Sequence, residues 1–103
     1  MKTRVSIVDD DGPTRSILME VISHVPSLEY VSDYGSSVQA LSRLPKDRPD
    51  VVLMDINMPD PNGVECVRLL KPQMPDTQFL MLTVYQSTTH VFVALKAGVT
   101  GYL

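Results

Sequence analysis

Two strand-like runs of this chain, one apolar throughout and one alternating before it turns apolar, each end in carboxylates, and these acids are the side chains best placed to do chemistry. Residues 51–54, Val-Val-Leu-Met, lead straight into Asp55, and residues 4–8 lead into Asp9, Asp10 and Asp11. A short continuous apolar run reads as a strand buried on both faces, the pattern of a parallel sheet. Ligands of open α/β sheets bind beyond the carboxyl ends of the strands. Pro59, Pro61 and Gly63 force an irregular loop after Asp55, so no regular structure covers its oxygens. If the two strands are neighbours, three or four acids share one crevice, where two charges about 4 Å apart repel by roughly 4 kcal/mol at an effective dielectric of 20. Such a crevice requires a cation. All-oxygen ligands with an incomplete shell favour Mg²⁺, with Mn²⁺ as its substitute.

A third run, residues 79–82, ends at a hydroxyl, Thr83. A phosphoryl group brought to this edge would meet a carboxylate nucleophile in Asp55, a metal to neutralise its oxygens and a donor in Thr83. The chemistry this points to is formation of an acyl phosphate on Asp55. A single acid at a strand end commonly does no more than keep a loop solvated; acids and a hydroxyl on three converging strand ends argue for more. Asp11, Asp60, Asp47 and Asp50 are read as solvated rather than ligating. A calcium loop starting at Asp55 fails, because Pro59, Asp60 and Cys66 occupy its fifth, sixth and twelfth positions. A dinucleotide or P-loop site fails as well, since residues 9–11 would repel a phosphate arriving without a metal.

The elements between these ends alternate. Gly12-Pro13 opens a helix whose Ile17, Leu18, Val21, Ile22 and Val25 recur at helical spacing, and Pro26 is expected to end it. Residues 28–34 read as an edge strand. Ser36 or Ser37 caps a helix carrying Val38, Ala40, Leu41 and Leu44, which Pro45 is expected to stop. Asn62 and Glu65 form a capping-box pattern before Val64, Val67 and Leu70, and Pro72 ends that helix. A last helix is capped by one of residues 87–89, runs through Val91, Phe92 and Leu95, and closes at Gly98 before a fifth strand from residue 101. Strands and short helices in this rhythm make βαβ units with right-handed crossovers.

With 103 residues, 44% hydrophobic and 20% charged, the chain makes one domain with a substantial core. The absence of an 18-residue apolar stretch and of a signal-like start leads us to expect a cytoplasmic protein with no membrane contact. A net charge of −3 without any basic run argues against direct nucleic-acid binding by these residues. The single cysteine, Cys66, falls on an apolar helix position and reads as an inert buried thiol. His24 and His90 both lie in helical stretches, away from the strand ends, and neither is a catalytic candidate.

Four segments then carry a family resemblance. Ile-Val-Asp-Asp-Asp at 7–11, Val-Val-Leu-Met-Asp-Ile-Asn-Met-Pro-Asp-Pro-Asn-Gly at 51–63, Met-Leu-Thr-Val-Tyr at 81–85 and Leu-Lys-Ala-Gly-Val-Thr-Gly-Tyr-Leu at 95–103 resemble, in this order, a two-component response-regulator receiver domain. The likeness spans nearly the whole chain, and the wording at 83–85 and 101–103 leans toward the NarL/LuxR type. The resemblance implies a flavodoxin-like α/β three-layer sandwich with a parallel five-stranded sheet of order 2-1-3-4-5. It implies a receiver domain over residues 1–103, incomplete at the C-terminus. It assigns Asp55 as acceptor of phosphate from a sensor histidine kinase or phosphotransfer protein. Mg²⁺ would be held by Asp10, Asp55 and the backbone carbonyl of Asn57, with Asp9 acting through water. Thr83 and Tyr102 would be the switch residues, Asn57 and Tyr85 would tune phosphate lifetime, and small Val84 would leave access to the site. The family's lysine, expected just beyond Tyr102-Leu103, and the last helix are absent from this chain, which favours a fragment of a longer protein. Such a protein would carry a C-terminal output domain, DNA-binding in the NarL/LuxR type, and would form a homodimer on phosphorylation. The rival readings are a Mg-dependent phosphotransferase or phosphatase on a small substrate, and a pseudo-receiver acting by protein binding alone.

Overall fold

Strands β1 (Thr3–Val8), β2 (Leu28–Tyr34), β3 (Val51–Asp55), β4 (Gln78–Leu82) and β5 (Gly101–Tyr102) pair in parallel in one sheet of order β2-β1-β3-β4-β5. A computed structural model of the chain describes residues 2–59, 61–82, 98 and 100–102. The crossovers include helices α1 (Gly12–Ser23), α2 (Ser37–Asp47) and α3 (Gly63–Leu70), the last followed by a 3-10 turn at Lys71–Gln73.

Alternation along the strands decides which helix covers which face. Val5 and Ile7 of β1 and Leu53 of β3 pack with Ile22 of α1, with Leu18 and Met19 against them. Val8, Val52, Met54, Phe79 and Met81 point to the opposite face, where Ala40 and Leu44 of α2 and Cys66, Val67 and Leu70 of α3 close over them. These are two cores separated by one sheet, the three-layer arrangement of a flavodoxin-like α/β fold. β2 lies at the edge, as its looser pattern indicates. Its register against β1 slips at Val5/Ser6, so that Val31 is an extra residue and Ser6 lies opposite Ser32.

The helix ends follow local chemistry. Asp11 caps α1, its carboxylate accepting the Thr14 N–H at 3.0 Å, and Pro13 occupies the first turn. Ser36 caps α2 through the Gln39 N–H at 3.2 Å, and Asn62 caps α3 through the Glu65 N–H at 3.0 Å. Two expectations need correcting. Pro45 does not stop α2, which runs on to Asp47. The lost N–H is offset by tertiary anchoring of the last turn: Asp47 accepts hydrogen bonds from Ser32 Oγ at 2.9 Å and from the Tyr34 hydroxyl, both on β2. The apolar stripe of α1 is also not uniformly inward, since Ile22 is buried while Ile17 and Val21 are 62% and 56% exposed.

Gly98 has φ +111°, and a Cβ there would sit 2.8 Å from Cγ of Lys71, so both backbone and space demand glycine. The expected helix over residues 87–96 lies outside the described residues. No helix among the described residues is long and apolar enough to cross a membrane.

Candidate functional site

The parallel register of β1 and β3 pairs Val8 with Met54. The next residues along the two strands, Asp9 and Asp55, therefore emerge side by side at the carboxyl edge. One carboxylate oxygen each from Asp9, Asp10 and Asp55 lie within 4.8 Å of one another. Asp9 is buried, Asp55 half-buried and Asp10 exposed, so the crevice has a closed floor and an open mouth.

Each acid of the floor is fixed by a local turn. Asp9 Oδ1 accepts the Asp11 N–H at 2.9 Å, and Asp55 Oδ1 accepts the Asn57 N–H at 3.0 Å. One oxygen of each is thereby committed to the backbone, leaving the other for a ligand. Burial pushes the Asp55 carboxyl up from 3.8 to about 6. The neighbouring charges of Asp9 and Asp10, and a hydrogen bond shared with the Asp10 carboxyl, add to that rise, while the Asn57 N–H opposes it. Crowded carboxylates with unshared oxygens form a hard-cation donor set, and the residues present fit Mg²⁺ on that chemistry.

The loop after Asp55 is pinned at three points. Met58 is buried in the core beneath α2 and α3, Ser37 Oγ donates to the Pro61 carbonyl at 2.6 Å, and the Gly63 N–H reaches the Ile56 carbonyl at 3.4 Å. Gly63 crosses so close to β3 that a Cβ on it would lie 2.1 Å from the Asp55 carbonyl oxygen. Its role is close approach, beyond the loop-forming role read from sequence. Met58 as an anchor went unnoticed, though an apolar residue inside a Pro-rich loop was the signal.

Other candidates fall elsewhere. Asn57 is exposed beside Asp55. Leu82 pairs with Asp55 across β3 and β4, and Thr83, Val84 and Tyr85 follow it in the chain but lie outside the described residues, as do Asp60 and His90. Tyr102 is in β5, paired with Met81. Asp11 is a helix cap whose carboxyl is held below the usual range by the Thr14 hydroxyl and N–H. Asp50 accepts the Arg4 N–H at 2.8 Å and Asp47 is bonded to β2; neither belongs to the acid cluster, as read from sequence, and both also have a structural part that the sequence reading did not give them. His24 is exposed at the end of α1, its ring facing the Glu20 carbonyl at 2.7 Å. Burial pushes the Cys66 thiol up to about 11, in keeping with an inert core cysteine. Sequence reasoning missed Arg15, whose Nη1 donates to the Asp9 carbonyl at 2.7 Å. A cation one turn into a helix that opens beside strand-end acids was the available clue.

The chain matches the response regulator receiver domain family over residues 5–103. It is 39% identical over 100 residues to the DNA-binding transcriptional activator DevR/DosR of Mycobacterium tuberculosis, covering 97% of this chain and 46% of that protein. It is 37% identical over 102 residues to the transcriptional regulatory protein DegU of Brevibacillus brevis, covering 99% of this chain and 43% of that one. The chain thus spans less than half the length of these curated relatives. Among solved structures it is similar to the response regulator domain of Thermotoga maritima CheB, with a TM-score of 0.90 and 28% identity over 100% of this chain and 78% of that one. The signal receiver domain of the putative response regulator NarL from Mycobacterium tuberculosis gives a TM-score of 0.90 and 27% identity over 99% of this chain and 82% of that one.

Proposed function

The chain belongs to the response-regulator receiver domain family of two-component signalling, and from that premise we propose that it is a phosphorylation-activated switch with Asp55 as phosphoacceptor. The observation that carries the reading is the convergence of Asp9, Asp10 and Asp55 within 4.8 Å at the carboxyl edge of adjacent strands.

In this reading the carboxylate of Asp55 attacks the phosphorus of a phosphohistidine on a sensor kinase or phosphotransfer protein. A P–O bond forms to Asp55 as the P–N bond breaks, and the electron pair returns to the imidazole. Asp55 must be ionised to attack, so reaction requires a pH above about 6 or a cation that lowers its raised pKa. Asp10, Asp55 and the Asn57 carbonyl would hold Mg²⁺, with Asp9 acting through water. When bound, the ion supplies charge neutralisation for the phosphoryl oxygens. The Asn57 N–H holds one Asp55 oxygen in place, whose second lone pair could face the cation, leaving the other oxygen for in-line attack. Thr83 and Tyr102 are proposed as the switch pair, Asn57 and Tyr85 as modulators of phosphate lifetime, and Val84 as the opening to the site. That DevR/DosR is a DNA-binding transcriptional activator supports a DNA-binding output outside these residues, and cytoplasmic location and dimerisation on phosphorylation are parts of the same proposal.

The test is direct. With Mg²⁺ and acetyl phosphate, a phosphate-affinity gel should show one retarded band whose label is base-labile and maps to Asp55. The band should vanish in Asp55→Asn and on chelation of the metal. Label on Ser36, Thr83 or a histidine refutes the assignment.

A further inference from the structure

Arg15 is a charged side chain that the acidic crevice does not by itself account for. It lies one turn into α1, and helical side chains lean toward the helix N-terminus, which carries its guanidinium back to the end of β1. There Nη1 donates to the backbone carbonyl of Asp9 at 2.7 Å. The guanidinium also occupies the space over Gly35, just after β2: a Cβ at Gly35 would lie 3.0 Å from Nη1 and 3.5 Å from Cζ. Arg15 is therefore wedged between the loops that follow β1 and β2, with the bare backbone of Gly35 as its seat.

The group it grips matters. The Asp9 carbonyl belongs to the planar peptide unit that also contains the Asp10 nitrogen, so fixing that oxygen fixes the plane from which Asp10 departs. Asp9 is otherwise held by its own N–H on the Tyr34 carbonyl at 3.1 Å and by the Asp11 N–H on its carboxylate at 2.9 Å. Nothing comparable ties the exposed Asp10 carboxylate to the backbone among the described residues.

We propose that Arg15 is a positioning residue of the divalent-cation site, aiming Asp10 by clamping the Asp9–Asp10 peptide against the loop at Gly35. This rests on the reading of the crevice as a cation and phosphoryl site. Outer partners that orient ligands commonly matter as much as the ligands do. Electrostatics alone would act the other way, since a positive charge beside three acids opposes a second cation. The two roles therefore predict opposite signs.

The experiment titrates Mg²⁺ alone into the full-length protein and follows the urea unfolding midpoint of the domain, for the parent and for Arg15→Met, Arg15→Lys and Gly35→Ala. Positioning predicts that Arg15→Met raises the half-effective Mg²⁺ concentration by about tenfold or more. Arg15→Lys, which can still donate to the Asp9 carbonyl, should recover most of the loss. Gly35→Ala, which keeps the charge but crowds Nη1, should shift the concentration in the same direction as Arg15→Met. Unchanged or tighter Mg²⁺ binding in Arg15→Met, with only a lower metal-free midpoint, overturns the proposal. Should Arg15→Met fail to fold, an unchanged Mg²⁺ response in Gly35→Ala overturns it equally. A parent with no Mg²⁺ response at all refutes the cation site itself, and the role of Arg15 falls with it.

Discussion

Replacing Asp55 by Asn should make the metal-free domain more stable, and only above a defined pH. The Asp55 carboxyl is raised from 3.8 to about 6, first by burial and then by Asp9 and Asp10. A group whose folded pKa exceeds its unfolded value contributes nothing unfavourable while both states are protonated; it destabilises the fold progressively as pH rises from the unfolded to the folded pKa, and the full effect is present above the latter. The gap corresponds to about 3 kcal/mol at full effect, each tenfold in proton affinity being about 1.36 kcal/mol. The carboxylate is only half-buried, so solvent screening reduces this to about 1–2 kcal/mol. Asn keeps an oxygen for the Asn57 N–H but carries no charge. In urea, with chelator present and unfolding followed by far-UV circular dichroism, Asp55→Asn should match the parent near pH 4. It should unfold about 0.5–1 M later at pH 8, taking a slope of about 2 kcal/mol per molar urea. Added Mg²⁺ should stabilise the parent at pH 8 and have little effect on the variant. A mutant-minus-parent difference that is the same at pH 4 and pH 8 would show that burial and crowding are not what perturbs Asp55, and the crevice argument would fail.

Gly63→Ala places a methyl 2.1 Å from the Asp55 carbonyl oxygen and should cost about 1–3 kcal/mol while slowing acetyl phosphate labelling of Asp55; normal labelling at parental stability would refute the close approach. Ser36→Ala removes the cap of α2 and should lower stability by about 1 kcal/mol without altering the Mg²⁺ response, both read from urea curves with and without the ion. Phe79→Ala empties the centre of the core under α2 and α3 and should cost about 3–5 kcal/mol in the same assay, a loss under 1 kcal/mol being incompatible with its full burial. Tyr34→Phe removes a donor to the Asp47 carboxylate and should cost about 1.5–3 kcal/mol in the same urea assay, an unchanged midpoint refuting the bond.

The sheet was legible because the runs at 51–54 and 79–82 are continuous apolar stretches suited to burial on both faces, and because each is followed in sequence by a polar residue. β2 was read over the same residues the structure gives, 28–34, from alternation that only an edge strand would show. Pro45 misled, because a propensity argument sees the lost N–H and not the distant hydroxyls of Ser32 and Tyr34 that hold Asp47. The α1 stripe misled in a related way. Helical periodicity identified Ile22 together with Ile17 and Val21, but only packing against Val5, Ile7 and Leu53 decides which of them the sheet covers.

The site was legible in residue types and much less so in its scaffolding. Acids at two strand ends need only adjacent, parallel β1 and β3 to meet. The alternation of strands and helices points to a parallel sheet, while the adjacency was implied by the family resemblance and not by residue pattern. The supports are different in kind: Gly63 and Arg15 act on backbone carbonyls and Met58 packs into the core beneath the loop, so side-chain patterns give only indirect clues to them. The same asymmetry bears on mechanism. Partial burial of Asp55 at the sheet edge, together with the neighbouring charges of Asp9 and Asp10, is what raises the Asp55 pKa and makes the metal-free crevice unfavourable. The Asp11 and Asn57 N–H bonds to Asp9 and Asp55, and the close approach of Gly63 to the Asp55 carbonyl, oppose the acids splaying apart to escape that cost. The free energy stored in their enforced proximity becomes available when a cation binds, so the loop anchors should matter more for the Mg²⁺ response than for the fold itself.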